Sequence, residues 1–172
     1  MKQIHKLTTL SLFIIFSLGT IAQNNLPPVC EIKSDTGSYQ NLDRYHWQIL
    51  EDRSEKLTIE NVSKPPFANR FHTYDSAKGI DYSINTYWLR YILKNRMAHD
   101  AKISISGYIS YVDIYTTDSS QKWNHQRTGI LVPWSKRDGF KSILYIPFTI
   151  KPGEELIIYQ RENYNYIYSR PT

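Results

Sequence analysis

Apolar and polar positions alternate with period two through most of the second half of the chain, and this alternation predicts strands. Asn85 to Lys94 reads as one long strand, with Tyr87, Leu89, Tyr91 and Leu93 on one side and Trp88, Arg90 and Ile92 on the other. Lys102 to Ile109 alternates Ile103 and Ile105 with Ser104 and Ser106. Tyr111 to Thr117 turns Val112 and Ile114 inward and Tyr111, Asp113 and Tyr115 outward, before a turn at Asp118-Ser119-Ser120. Lys122 to Thr128 is a weaker, polar strand around Trp123, and Ser142 to Ile150 aligns Leu144, Ile146, Phe148 and Ile150. The turn Lys151-Pro152-Gly153-Glu154 returns Glu155 to Arg161 as the partner of that strand, because Pro presets φ and Gly accepts φ above zero.

The first half is less regular. Gln23 to about Tyr45 is polar and turn-rich, and reads as an irregular arm. His46 to Leu50 predicts a first short strand. Thr58 can cap a single helical turn through Val62, which Pro65-Pro66 ends. A loop follows to about Tyr82.

Short strands joined by turns predict an all-β fold, a sandwich or jelly roll. An aromatic content of 14%, with 14 tyrosines, suits pleated faces. The 172 residues suffice for one core. The expected division is a signal peptide at 1–22, the arm at 23–44, the sandwich at 45–165 and a tail at 166–172.

The leader sets the compartment. Lys2, His5 and Lys6 precede an uncharged stretch from Leu7 to Ala22, and Thr20-Ile21-Ala22 offers small residues for cleavage before Gln23. At about 16 residues the stretch is short of the roughly 20 that a spanning helix needs. Export to the periplasm or beyond is the expectation. Without Lys2 and Lys6 there remain 19 basic against 16 acidic residues, scattered as in Glu51-Asp52-Arg53-Ser54-Glu55-Lys56. A nucleic-acid partner would need a clustered basic stripe, so none is expected. Cys30 is the only cysteine, which excludes an intramolecular disulfide, and Pro27-Pro28-Val29 before it is wrong for lipid attachment.

Catalytic patterns are missing. There is no Gly-x-Ser-x-Gly elbow and no glycine-rich phosphate loop. No histidine has a second His or a Cys at metal spacing, so neither a metal nor another cofactor is implied. Glu51-Asp52 and Glu154-Glu155 are adjacent pairs beside turns, read as solvated charge.

An ordered set of segments resembles one family. These are Trp47-Gln48-Ile49-Leu50-Glu51-Asp52, Leu57-Thr58-Ile59 with Val62, and Tyr87 through Asn95. Val112-Asp113-Ile114-Tyr115, Arg137, Ile146-Pro147-Phe148 and Pro152-Gly153-Glu154 before Ile157-Ile158-Tyr159 complete it. Over roughly residues 45 to 162 the chain resembles the type 2 extracellular domain of bacterial seven-transmembrane receptors with diverse intracellular signalling modules. The resemblance implies a jelly-roll-like β-sandwich similar to carbohydrate-binding modules. It also implies a sensory role outside the membrane, a small ligand such as a carbohydrate, and a membrane receptor or histidine kinase as partner. A structural or protein-interaction sandwich without a small ligand is the alternative.

Period two then singles out one face. With the aliphatic positions in the core, Trp88, Arg90, Asp113 and Tyr115 point away from it together. Aromatic plates and planar polar groups are what sugar recognition needs, so these four are candidate ligand contacts, with Trp88 expected to be partly accessible. Trp123, followed by His125 and Arg127, and Arg137, which follows Trp134, complete the candidate set. Packing is the competing role for Trp88, and loop anchoring for Trp123 and Trp134.

Overall fold

The computed structural model describes residues 26–35, 46–74, 81, 86–117 and 122–164. The expected leader, the expected tail and most of the expected arm lie outside these residues. The described strands are β1 (Val29–Ile32), β2 (Trp47–Glu51), β3 (His72–Thr73), β4 (Thr86–Asn95), β5 (Ala101–Ser106), β6 (Tyr111–Thr117), β7 (Trp123–Thr128), β8 (Tyr145–Ile150) and β9 (Glu155–Asn163). Among the described residues the named helical elements are α1 (Ile59–Val62) and the 3₁₀ turns Phe67–Arg70 and Trp134–Lys136. One sheet runs β3-β2-β4-β9-β6-β7, with β1 beside the second half of β4, and β5 and β8 form the other. The expected all-β architecture of mainly antiparallel sheets is present.

Inner-face side chains of the large sheet pack against the small one. Tyr91, Leu93, Val112, Ile114 and Ile158 share a buried core with Ala101, Ile146 and Ile150, and Ile103, Ile105 and Phe148 pack around it. Lys102, Ser104 and Ser106 alternate out to solvent. Each fully buried aliphatic side chain contributes about 1.5–3 kcal/mol. In the first half, Thr58 caps α1 as expected, its N–H donating to Asn61 Oδ1 at 2.9 Å.

Four local expectations are corrected. The arm contains β1, which pairs in parallel with β4 from Val29↔Ile92 to Ile32↔Asn95, so Cys30 is half-buried against the core. The loop before Tyr82 holds a 3₁₀ turn and the short β3. β8 begins at Tyr145, because residues 141–144 form a turn in which Leu144 takes φ of 54°. Most consequentially, β9 is not the partner of β8. It pairs with β4 on one side and β6 on the other, while β8 pairs with β5.

Asn95 explains that crossover. Its side-chain amide donates to Ile150 O and to His99 O, both at 2.8 Å, and its Oδ1 accepts from Met97 N at 2.8 Å. Its backbone accepts from Gly153 N and donates to Glu154 O. The end of β8 and the turn at Gly153, where φ is +75°, are thus both fastened to the end of β4. The chain leaves the turn already aligned with the large sheet.

The outer face of the large sheet is covered in part by residues 52–71. Ile59, Val62 and Phe71 of this segment join Leu50, Trp88 and Tyr159 in a second buried cluster. Asp52 anchors the segment. It is 1% exposed, accepting from Ser54 Oγ at 2.6 Å and Leu57 N at 3.0 Å. The reading of Asp52 as solvated charge is therefore corrected. Charge at this position satisfies a turn.

Candidate functional site

Register arranges the outer face in rows. Across four strands, Trp88, Arg161, Asp113 and Arg127 are successive cross-strand partners, and so are Arg90, Tyr159, Tyr115 and His125. The expected convergence of Trp88, Arg90, Asp113 and Tyr115 on one face is found, with β9 between their strands. The covering segment divides that face into a closed half over β2 and β4 and an open half over β6 and β7.

In the closed half the expectation of an accessible Trp88 fails. Its exposure is 0%, with one face stacked on Tyr115 at a centroid distance of 5.6 Å. Arg90 is also buried. It donates twice to Gln48 Oε1, at 3.1 and 2.5 Å, and its guanidinium lies 4.3 Å from the centre of the Phe71 ring. Both residues are held by the sheet and its cover, with no surface to offer a ligand.

The open half centres on Asp113. The carboxylate is buried and accepts from three directions. His125 Nε2 lies 2.7 Å from Oδ1, Arg127 Nε donates to Oδ1 at 2.6 Å, and Arg127 Nη2 donates to Oδ2 at 2.9 Å. Arg161 Nη1 adds a looser ion pair at 3.7 Å. Burial is the strongest single influence on Asp113 and pushes its pKa upward. The bonds from His125 and Arg127 together outweigh it, and the carboxyl ends below its ordinary value of 3.8. Tyr115 lies between Trp88 and His125, the latter stacked at 4.6 Å, so both its ring faces are occupied. Burial, then the Asp113 charge, pushes its phenol up to about 12.

Above this floor the side chains of His125 and Arg127 remain 44% and 46% exposed. Trp123, half-buried, sets its ring edge-on to Tyr159 at 5.6 Å. Trp123, His125 and Arg127 therefore form one outward row on β7, spanning about 13 Å at the rise of a strand. Sequence reasoning named Trp123 and noted the two neighbours without choosing them. Period two places 123, 125 and 127 on one side of β7, and the register with β6 sets that side beside Asp113 and Tyr115.

Arg137 lies elsewhere. Its guanidinium donates to the carbonyls of Val132, Ile130 and Lys141 at 2.8, 3.0 and 3.1 Å, which makes it a clamp on the β7–β8 loop. Separately, a groove of about 310 Å³ opens where β2 meets the covering segment, lined by Glu51, Asp52, Arg53, Leu57, Phe67 and Arg70 among others. None of the expected ligand contacts lines it, and Glu51 is already paired with Arg53 at 3.2 Å. Among the described residues there is no cluster of His, Cys, Asp and Glu fit to hold a metal ion. No described helix is long and apolar enough to cross a membrane.

Comparison with known proteins bears on this arrangement. A search of curated proteins finds no match to the chain. The model of the 7TMR-DISM extracellular 2 family matches residues 44–167, which include β2 through β9 and every residue of the site. The chain belongs to the 7TMR-DISM extracellular 2 family, and this sandwich is an extracellular sensory domain of a receptor.

Proposed function

We propose that the domain senses a carbohydrate or a chemically related small ligand across the β7 row, in an exported protein whose leader is residues 1–22. Trp123 supplies an apolar plate, while His125 and Arg127 supply planar polar groups for hydroxyls. Asp113 and Tyr115, expected as contacts, act beneath them as the orienting support. The observation that carries this reading is the half-exposed His125–Arg127 pair fixed on one buried carboxylate. A pair so held loses little side-chain freedom on binding, which favours recognition. The row's length of about 13 Å suits a short oligosaccharide. Catalysis plays no part in this reading, and the output lies with the receptor or histidine kinase to which the domain reports.

A glycan array on the purified chain tests it. Retention of a glycan by the wild type, with loss in Trp123→Ala and in Arg127→Gln, supports the reading. A chain that retains no glycan and instead co-purifies with a membrane protein supports the alternative, a protein-interaction sandwich. The position of β7 at the end of the large sheet favours that alternative, since an edge strand offers backbone groups for pairing.

A further inference from the structure

One end of the sandwich holds apolar side chains out in water. Residues 107–110 and 129–144 are laced together there. Ile130 N donates to Ile109 O at 2.8 Å, Leu131 N to Ser110 O at 3.0 Å, and Gly107 N to Leu144 O at 2.7 Å. Arg137 adds its three bonds to loop carbonyls. Gly129 adopts φ of +137°, where a Cβ would meet Ser110 O at 2.6 Å, so the backbones are closely fitted. On this frame Tyr108, Ile130, Trp134, Phe140 and Ile143 are 46–58% exposed. They are all but one of the exposed large hydrophobic residues among those described, the other being Leu26. Fixed backbones keep these side chains from folding inward.

Their chemistry selects the partner. Lys136 follows Trp134 by two residues and Lys141 follows Phe140 by one, and neither makes an ion pair among the described residues. Amphipathic rings, aliphatic tips and lysines together match the headgroup boundary of a bilayer, where rings sit at the polar level and lysines reach lipid phosphates. The chain also leaves the sheet at this end. The last residue of β9, Asn163, pairs with Tyr111 and Thr86, and Tyr111 directly follows the 107–110 segment. The end of β9 thus lies beside the apolar loops. We propose that this end docks on an anionic bilayer surface, with Trp134 and Phe140 in the headgroup–acyl boundary and Lys136 and Lys141 on lipid phosphates. The orientation rests on the chain being a domain of a membrane receptor. That membership stands on the family match and is unaffected by the following test.

The experiment follows tryptophan emission of the full chain on vesicles of phosphatidylcholine and phosphatidylglycerol with brominated acyl chains. The leader contains no tryptophan, so emission comes from the four tryptophans that follow it. Quenching in the wild type that is lost in Trp134→Phe is the expected result. In Lys136→Gln/Lys141→Gln, partitioning weakens about fivefold per lysine on anionic vesicles and is unchanged on phosphatidylcholine alone. Phe140→Ser, which keeps the Trp134 reporter, weakens the quenching while the melting temperature holds, since the side chain is exposed. Equal quenching in wild type and Trp134→Phe, or none in either, overturns the proposal. So does a dimer that Trp134→Ser/Phe140→Ser dissociates without vesicle binding by the wild type, which would make a second copy the occupant.

Discussion

Trp88 stacks on Tyr115 with ring centroids 5.6 Å apart and planes inclined by 29°, and His125 stacks on the opposite face of Tyr115. The three rings run from the buried half of the outer face to its open half. Trp88 is the packed end of that series, and His125 is the end that meets solvent.

Trp88→Ala is therefore a stability variant. Removing the fully buried indole beneath Ile59, Val62 and Phe71 is expected to cost about 3–5 kcal/mol. Denaturant titration checks this. A cost below about 1 kcal/mol would mean that the covering segment does not seal the face.

Arg127→Ala is expected to cost about 1–2 kcal/mol, less than a wholly buried pair because Arg127 is half in solvent and His125 still holds Asp113. The pH dependence follows from the lowered pKa of Asp113. Such a carboxyl contributes stability above its unfolded value of about 3.8, and that contribution is lost as pH falls through the lower folded value. Without Arg127 the acid limb of the unfolding curve should move to higher pH. Urea unfolding from pH 2 to 7 reads it, and an unmoved limb would contradict the assigned pairing.

Glu162 behaves in the opposite sense. Burial holds its carboxyl above the ordinary 4.5, against the bonds it accepts from Tyr164 and Gln160. A raised pKa means the folded chain binds the proton more tightly, so its stabilisation is complete below pH 4.5 and is lost as pH rises through the folded value. Glu162→Gln cannot ionise. The wild type should lose stability relative to this variant as pH climbs above 4.5, and the two should run parallel below it. A gap that is constant with pH would show that Glu162 titrates normally.

Asn95→Ala removes three hydrogen bonds from a fully buried amide and is expected to cost about 2–4 kcal/mol. Hydrogen exchange should quicken first at Met97, whose N–H loses its acceptor, and next at Gly153, whose N–H donates to the Asn95 carbonyl. Uniform change across the sheet would contradict the role given to Asn95 in the crossover.

These residues also show what could be read from the sequence. The facing of Trp88, Arg90, Asp113 and Tyr115 was legible, because β4 and β6 alternate cleanly and period two is set by the backbone. The burial of Trp88 and Arg90 was not. It depends on residues 52–71, which carry no strand period and are held by Asp52 through turn contacts. Strand partners were equally hidden. The turn at Gly153 has the residues of a hairpin, and the bonds that fasten it to β4 come from Asn95, distant in sequence. The short β1 was masked by the prolines before it. In the candidate site, Trp123 stood out as an aromatic. Arg127 and His125 gain meaning only from a register that sets them opposite Asp113 and Tyr115.

On the proposed function, ligand is read on the β7 row and not at the buried tryptophan. The indole N–H resonances of the four tryptophans offer the most direct measurement, followed as the chain is titrated with a glycan retained on the array. The Trp123 resonance is expected to shift with saturation while that of Trp88 stays in place, and Arg127→Gln should abolish the shift. A saturable shift at Trp88, or one at Trp47 or Trp134 with Trp123 unmoved, would contradict it.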